Sequence, residues 1–162
     1  LFSVTEPKRD ETPVLVEVPH AGLHVPPECL ATLVAPASSI ARDADLFVDR
    51  LYADAPAEGA TLIVSSVSRY FLDLNRAETD IDPESVVGAP PNSRASRGVV
   101  WRLTSDGGPV LARPLSRAEL DERLDRLYRP YHEAIRTVLA RKVKRFGHAI
   151  LLAAHSMPSA RE

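Results

Sequence analysis

The chain has 162 residues, 44% of them apolar, and a formal net charge of −2, which fits one domain able to bury a real core and gives a polyanion such as nucleic acid no electrostatic footing. Cys29 is the only cysteine, which excludes an intrachain disulfide and a cysteine-built zinc site. No apolar run reaches membrane-spanning length, Lys8, Arg9, Asp10 and Glu11 interrupt any leader-like N-terminus, and a reducing cytoplasm without membrane attachment is the expected setting.

Val14 to Val18 reads as a buried strand and runs into Pro19-His20-Ala21-Gly22. A Pro-rich connection through Pro26, Pro27 and Pro36 follows. Ser38 or Ser39 then suits the cap of a helix that carries Asp43, Asp45, Val48 and Asp49, with Leu46, Phe47, Leu51 and Tyr52 on its inward face. Gly59 opens a second strand, Thr61 to Val67, and Tyr70 to Leu74 is a short third run. Asn75 to Arg97, with Pro83, Gly88, Pro90 and Pro91, is a long loop of the kind that is usually functional or mobile. Val99-Val100-Trp101 reads as another strand, closed by Asp106-Gly107-Gly108. Ser116 and Glu119 form a capping box for the strongest helix, which carries Leu120, Leu124, Leu127 and Tyr128. Pro130 kinks or splits it, Ile135, Val138, Leu139 and Val143 continue its stripe, and Gly147 suits its C-cap. A last strand, His148 to Ala154, ends at His155. The alternation of strands and helices, with no repeat or linker, predicts a single α/β domain.

Two histidines at the ends of two apolar strands carry the strongest functional signal. In open α/β sheets ligands gather beyond the carboxyl ends of the strands, so His20 and His155 are delivered to one rim from distant parts of the chain. Two nitrogens plus an oxygen, with a position left for water, is a catalytic zinc donor set. Asp43 and Asp45 are the acidic candidates. Two apart on a helix they diverge, so at most one faces the rim; both also suit a helix N-terminus. Arg69 and Arg76, with Asn75, offer donors for a carboxylate, against the plainer expectation of a surface Asp73–Arg76 pair. His132 suits either a site or a helix surface or core position, and His24 and His148 read as structural or solvent residues. Ser156 beside His155 makes no nucleophile–base pair, because adjacent side chains on an extended segment diverge. There is no nucleophile elbow and no phosphate-binding glycine loop.

Pro19-His20-Ala21-Gly22, Arg42-Asp43-Ala44-Asp45, Ser68-Arg69-Tyr70 with Asp73-Leu74-Asn75-Arg76, Tyr128-Arg129-Pro130-Tyr131-His132 and His155-Ser156-Met157-Pro158-Ser159 stand in the order seen in N-formylglutamate amidohydrolases. The resemblance covers the chain from residue 14 onward. It implies a mixed, largely parallel sheet flanked by helices, in the zinc carboxypeptidase and aspartoacylase (phosphorylase/hydrolase-like) architecture. Asp73-Leu74-Asn75-Arg76 is similar to the substrate-carboxylate motif of the aspartoacylase branch.

Carried over by position, the resemblance implies that His20 and His155 ligate a divalent metal, zinc above others, with Asp45 as the acidic ligand and Asp43 as its rival. Arg69, Asn75 and Arg76, with His132, would bind the substrate, N-formyl-L-glutamate or a related N-acyl amino acid. The implied reaction is metal-dependent hydrolysis of the formamide to formate and glutamate, in histidine degradation. A non-catalytic binding domain of the same fold and a zinc peptidase of the same architecture are the competing readings. Two departures stand out. Family members usually carry an aspartate two residues before the last histidine, where this chain has Ala153. Family chains also run well past the His-Ser-Met-Pro segment, which implies that the domain continues beyond Glu162 and that the general base comes from there. Within the chain, strand alternation is expected to turn Glu17 away from the site, and Glu119, Glu122 and Glu133 belong to a helix surface.

Overall fold

The computed structural model describes residues 1–89 and 97–157. Pro90 and Pro91 of the predicted long loop, and Pro158 and Ser159 of the last motif, lie outside the described residues. Four strands form one mixed sheet in the order β1-β3-β2-β4, with β1 Phe2–Thr5, β2 Val14–Val18, β3 Thr61–Ser65 and β4 Ile150–Ala153. β2 pairs in parallel with both β3 and β4, while β1 pairs antiparallel with β3. The expectation of a mixed, largely parallel sheet is met.

β2 reads Val-Leu-Val-Glu-Val because both its faces are covered. Leu15 packs with Ile63 in the larger core, against Leu124, Leu127 and Tyr131. Val16 and Val18 pack on the other face with Leu62 and Val48. β4 is different. It lies at the sheet edge, and Ile150, Leu151 and Leu152 are 50%, 44% and 41% exposed.

The helix expected around residues 38–52 is two short helices, α1 Ala37–Asp43 and α2 Val48–Leu51. α1 begins after Pro36, so Ser38 and Ser39 lie inside it rather than at its cap, and Ser39 Oγ accepts from Arg42. The chain turns extended at Ala44, and Phe47 adopts φ 67°, a left-handed value rare outside glycine. That break undoes most of the predicted face: Leu46, Phe47 and Leu51 are exposed, and of the four only Tyr52 packs inward, beside the buried Val48. It also frees Asp45 from any helix.

Tyr70 to Leu74 and Val99 to Trp101 are turns, not strands. Their apolar content signals burial, but their backbones join no strand of the sheet and cross-link the two segments singly: Asp73 N–H donates to the Val99 carbonyl and Val99 N–H to that of Asp80. The capping box at Ser116 and Glu119 forms as expected and starts α3, Arg117–Arg123. A π turn over Leu124–Tyr128 leads into α4, Arg129–Phe146, so Pro130 falls in a first turn where its missing N–H costs little. Gly147 closes α4 at φ 79°. The apolar stripe ends at Leu139, which packs half-buried against the core. Val143 is exposed, and Lys142 fills the buried place, its ammonium donating to the Thr12 carbonyl and pairing with Glu11. Among the described residues no helix is long and apolar enough to cross a membrane.

Past their ends β2 and β3 stay joined. His24 N–H donates to the Ser66 carbonyl, and Ser68 N–H to that of His24. Gly22 permits this approach, since a Cβ there would lie 2.2 Å from the Ser66 carbonyl carbon.

Candidate metal and substrate site

Because β2 and β4 are adjacent and parallel, His20 and His155 leave the same rim side by side, their ring centroids 5.0 Å apart. The break between α1 and α2 brings Asp45 over them, held by its N–H donating to the His20 carbonyl. His155 Nδ1 donates to Asp45 Oδ2 at 2.9 Å, Ser156 Oγ to Asp45 Oδ1 at 3.0 Å, and His20 Nδ1 stands 3.6 Å from Asp45 Oδ2. One ligand atom from each of His20, Asp45 and His155 lies within 4.8 Å of the others. Burial favours the neutral Asp45 carboxyl, but the His20 imidazole close by and the hydrogen bonds from His155 and Ser156 outweigh it and hold the group well below the usual carboxylate range.

Behind His20 stands Asp73, fully buried. Its Oδ1 meets His20 Nε2 at 2.8 Å and accepts from Asn75 N–H, and its Oδ2 accepts from Arg69 Nη2 and Trp101 Nε1, both at 2.8 Å. Burial opposes its charge, yet His20 and Arg69 pull the carboxyl well below its ordinary value. For His20, burial disfavours the cation, and Asp45 and Asp73 more than restore it. His20 Nδ1 is buried and has no hydrogen-bond partner among the described residues. A carboxylate on one imidazole nitrogen and an unbonded second nitrogen aimed at two further donors is how proteins orient a histidine ligand. The residues therefore fit a divalent cation.

Asp73 is the residue that sequence reasoning missed. The surface pair with Arg76 does not form. Arg76 Nη1 lies 3.7 Å from Asp80, half exposed. The available signal was an acid set inside the apolar run Tyr70-Phe71-Leu72-Asp73-Leu74, which later proves wholly buried. Asp43, the rival ligand, is engaged elsewhere. It accepts from the Tyr70 hydroxyl, the Ser105 hydroxyl and Ser105 N–H, tying α1 to the loop at residue 105. Glu17 is not turned out to solvent. It is buried on the α4 side, where Tyr131 Oη donates to it at 3.2 Å. Burial raises its pKa against that bond and the nearby His155 and His20.

A cavity of about 570 Å³ opens beside Asp45 and is walled by Arg42, Arg69, Arg97, Trp101 and Ser156, among others. Of the four residues expected to bind substrate, Arg69 is a wall of this cavity, and Asn75, Arg76 and His132 are not. Asn75 is exposed. His132 Nε2 donates to the Leu74 carbonyl at 3.1 Å, and burial lowers its pKa.

A mixed sheet flanked by helices, with two histidines and a carboxylate gathered beyond its parallel strands, defines an α/β domain with a candidate metal site at its rim. The sequence profile of N-formylglutamate amidohydrolases matches residues 12–162, and the chain belongs to that family. It is 34% identical over 154 residues to the N-formylglutamate deformylase of Pseudomonas aeruginosa, covering 94% of this chain and 54% of that protein. The Pseudomonas putida deformylase is 33% identical over 149 residues, covering 91% and 52%. The chain thus spans about half the length of these relatives. A solved N-formylglutamate amidohydrolase from Ralstonia eutropha JMP134 superposes with a TM-score of 0.88 at 30% identity, over 97% of this chain and 58% of that one. A gene product of Agrobacterium tumefaciens, at 22% identity and a TM-score of 0.67 over 96% of this chain and 56% of its own, shares the fold.

Proposed function

We propose that this chain forms the metal-holding part of a zinc-dependent N-formylglutamate deformylase, a cytoplasmic enzyme that cleaves N-formyl-L-glutamate to formate and glutamate in histidine degradation. The observation that carries this reading is His20: its Nδ1 is buried, unbonded and aimed toward Asp45 and His155, while Asp73 grips the opposite nitrogen. His20, Asp45 and His155 would hold the ion. Zinc, when bound, supplies Lewis acidity that activates water and polarises the formamide carbonyl. The protein does the rest by position. Asp73 fixes the His20 ring. Arg69 in the cavity wall receives the α-carboxylate; Asn75, whose N–H donates to Asp73, and Arg76 lie outside that cavity and support the segment behind it, which His132 holds through the Leu74 carbonyl. The zinc carboxypeptidase and aspartoacylase architecture belongs to the same proposal.

The general base is assigned to polypeptide beyond this segment. Among the described residues Asp45 and Asp73 already accept several donors each, and Glu17 is bonded to Tyr131. The exposed apolar row on β4 suits a sheet that continues in a longer chain.

Metal analysis and turnover test this reading. The purified protein should retain about one zinc per chain, and His20→Ala should lose it with an unchanged circular dichroism spectrum. Formate release from N-formyl-L-glutamate should be absent in the 162-residue segment and present in a chain restored to the length of its relatives. Undiminished zinc in His20→Ala removes that residue as a ligand. Turnover by the short segment places the base within it, with Glu17 the first to mutate.

A further inference from the structure

N-formylglutamate carries two carboxylates, and the reading above assigns only the one beside the formamide. Three guanidiniums wall the cavity. Arg42 is bound to Asp106 at 3.0 Å, and Arg69 is held by Asp73. Arg97 differs from both. Among the described residues its guanidinium meets no carboxylate; its one polar contact is the Thr104 carbonyl, at 3.2 Å. It lies over the Trp101 indole, 5.0 Å from the ring centroid, and Arg69 lies over the same indole at 4.4 Å. Stacking on an aromatic face holds a guanidinium flat and leaves its N–H edge free for an anion.

The order of contacts gives direction. Trp101 Nε1 donates to Asp73, which holds both His20 and Arg69. Arg69 is therefore beside the carboxylate that backs the metal cluster, and Arg97 is linked to that cluster only through the indole it shares with Arg69. In the substrate the α-carboxylate adjoins the formamide, and the side-chain carboxylate lies two methylenes beyond. We infer that Arg97, held over Trp101, receives the side-chain carboxylate and so selects acidic N-formyl amino acids over neutral ones. This rests on the deformylase reading.

Trp101 is the only tryptophan in the chain, so its emission reports on this wall alone. Fluorescence titration of the zinc-loaded protein should show N-formyl-L-glutamate binding at least about tenfold more tightly than the isosteric N-formyl-L-glutamine, as expected for a charged hydrogen-bonded pair. In Arg97→Gln the two ligands should bind alike, with the affinity for N-formyl-L-glutamine within about twofold of the parent; Arg97→Lys, which keeps charge without the planar fork, should retain part of the preference. A full preference in Arg97→Gln overturns the assignment and leaves the deformylase reading standing. A parent that binds neither ligand overturns both. Should Arg97→Gln lose both ligands, Arg97→Lys decides: reduced discrimination supports the role, and undiminished discrimination overturns it.

Discussion

β2 and β4 bring the same kind of side chain to the same rim by opposite means. β2 is a central strand, covered on both faces, and its histidine is 1% exposed with Asp73 locked behind it. β4 is an edge strand with an exposed apolar row, and the His155 side chain is 27% exposed, its ring nitrogen tied to Asp45. The difference shows that a site can be half core and half surface. His20 inherits its precision from packing, whereas His155 depends on the carboxylate it shares and on whatever covers β4.

The sharpest way to break the comparison is to remove what makes the β2 side rigid. Asp73→Asn leaves His20 and Arg69 facing an uncharged group inside the protein, and chemical denaturation should show a loss of about 3–5 kcal/mol. Because the Asp73 carboxyl is held below its ordinary value of 3.8, its charge stabilises the fold above that value. The gap between parent and variant should therefore close as the pH falls through and below the carboxylate range.

A gentler test uses two leucines that are register partners, Leu15 on β2 and Leu151 on β4. Leu15 is fully buried, so Leu15→Ala should cost about 2–5 kcal/mol by denaturation. Leu151→Ala should cost under about 1 kcal/mol in this segment, and more in a longer chain if added polypeptide covers β4. Equal costs in the short segment would erase the distinction between the strands. The smallest contrast between the two strands is expected at the histidines themselves. Metal-free His20→Gln should lose about 1–3 kcal/mol, because it strands a buried acceptor on Asp73. Metal-free His155→Gln should change stability by about 0.5 kcal/mol or less, as for an exposed position. Melting curves of the two variants would order them.

The same contrast explains what could be read from residues alone. β2 and β4 were visible as short aliphatic runs, and Ser116, Glu119 and Gly147 marked the ends of the long helical stretch, because those signals are local. β1 was missed: four residues of Phe-Ser-Val-Thr are too few to show a period, and pairing with β3 creates the strand. Tyr70 to Leu74 looked like a strand because burial and extension leave the same apolar trace. The break at Phe47 was hidden because a left-handed phenylalanine is sustained by its surroundings, and without that break the choice between Asp43 and Asp45 stayed open. His20 and His155 were visible as strand-end residues. Asp73 was not, because two of its four partners, His20 and Trp101, come from distant parts of the chain.

The joining of β2 and β3 beyond their ends bears on how the domain opens and how it can change. His24 is bonded to both Ser66 and Ser68, and backbone meets backbone at Gly22, so the turns that carry His20 and Arg69 belong to the cooperative unit of the sheet. They come apart when β2 leaves β3, not by the fraying that frees ordinary loops. A rim built this way is assembled before any ligand arrives. It is also closed to variation, since a side chain at residue 22 has nowhere to go. Room for a descendant to take a different substrate lies across the cavity, in the stretch from Arg97 to Ser105, where isolated bridges and turns rather than a continuous strand ladder hold the chain.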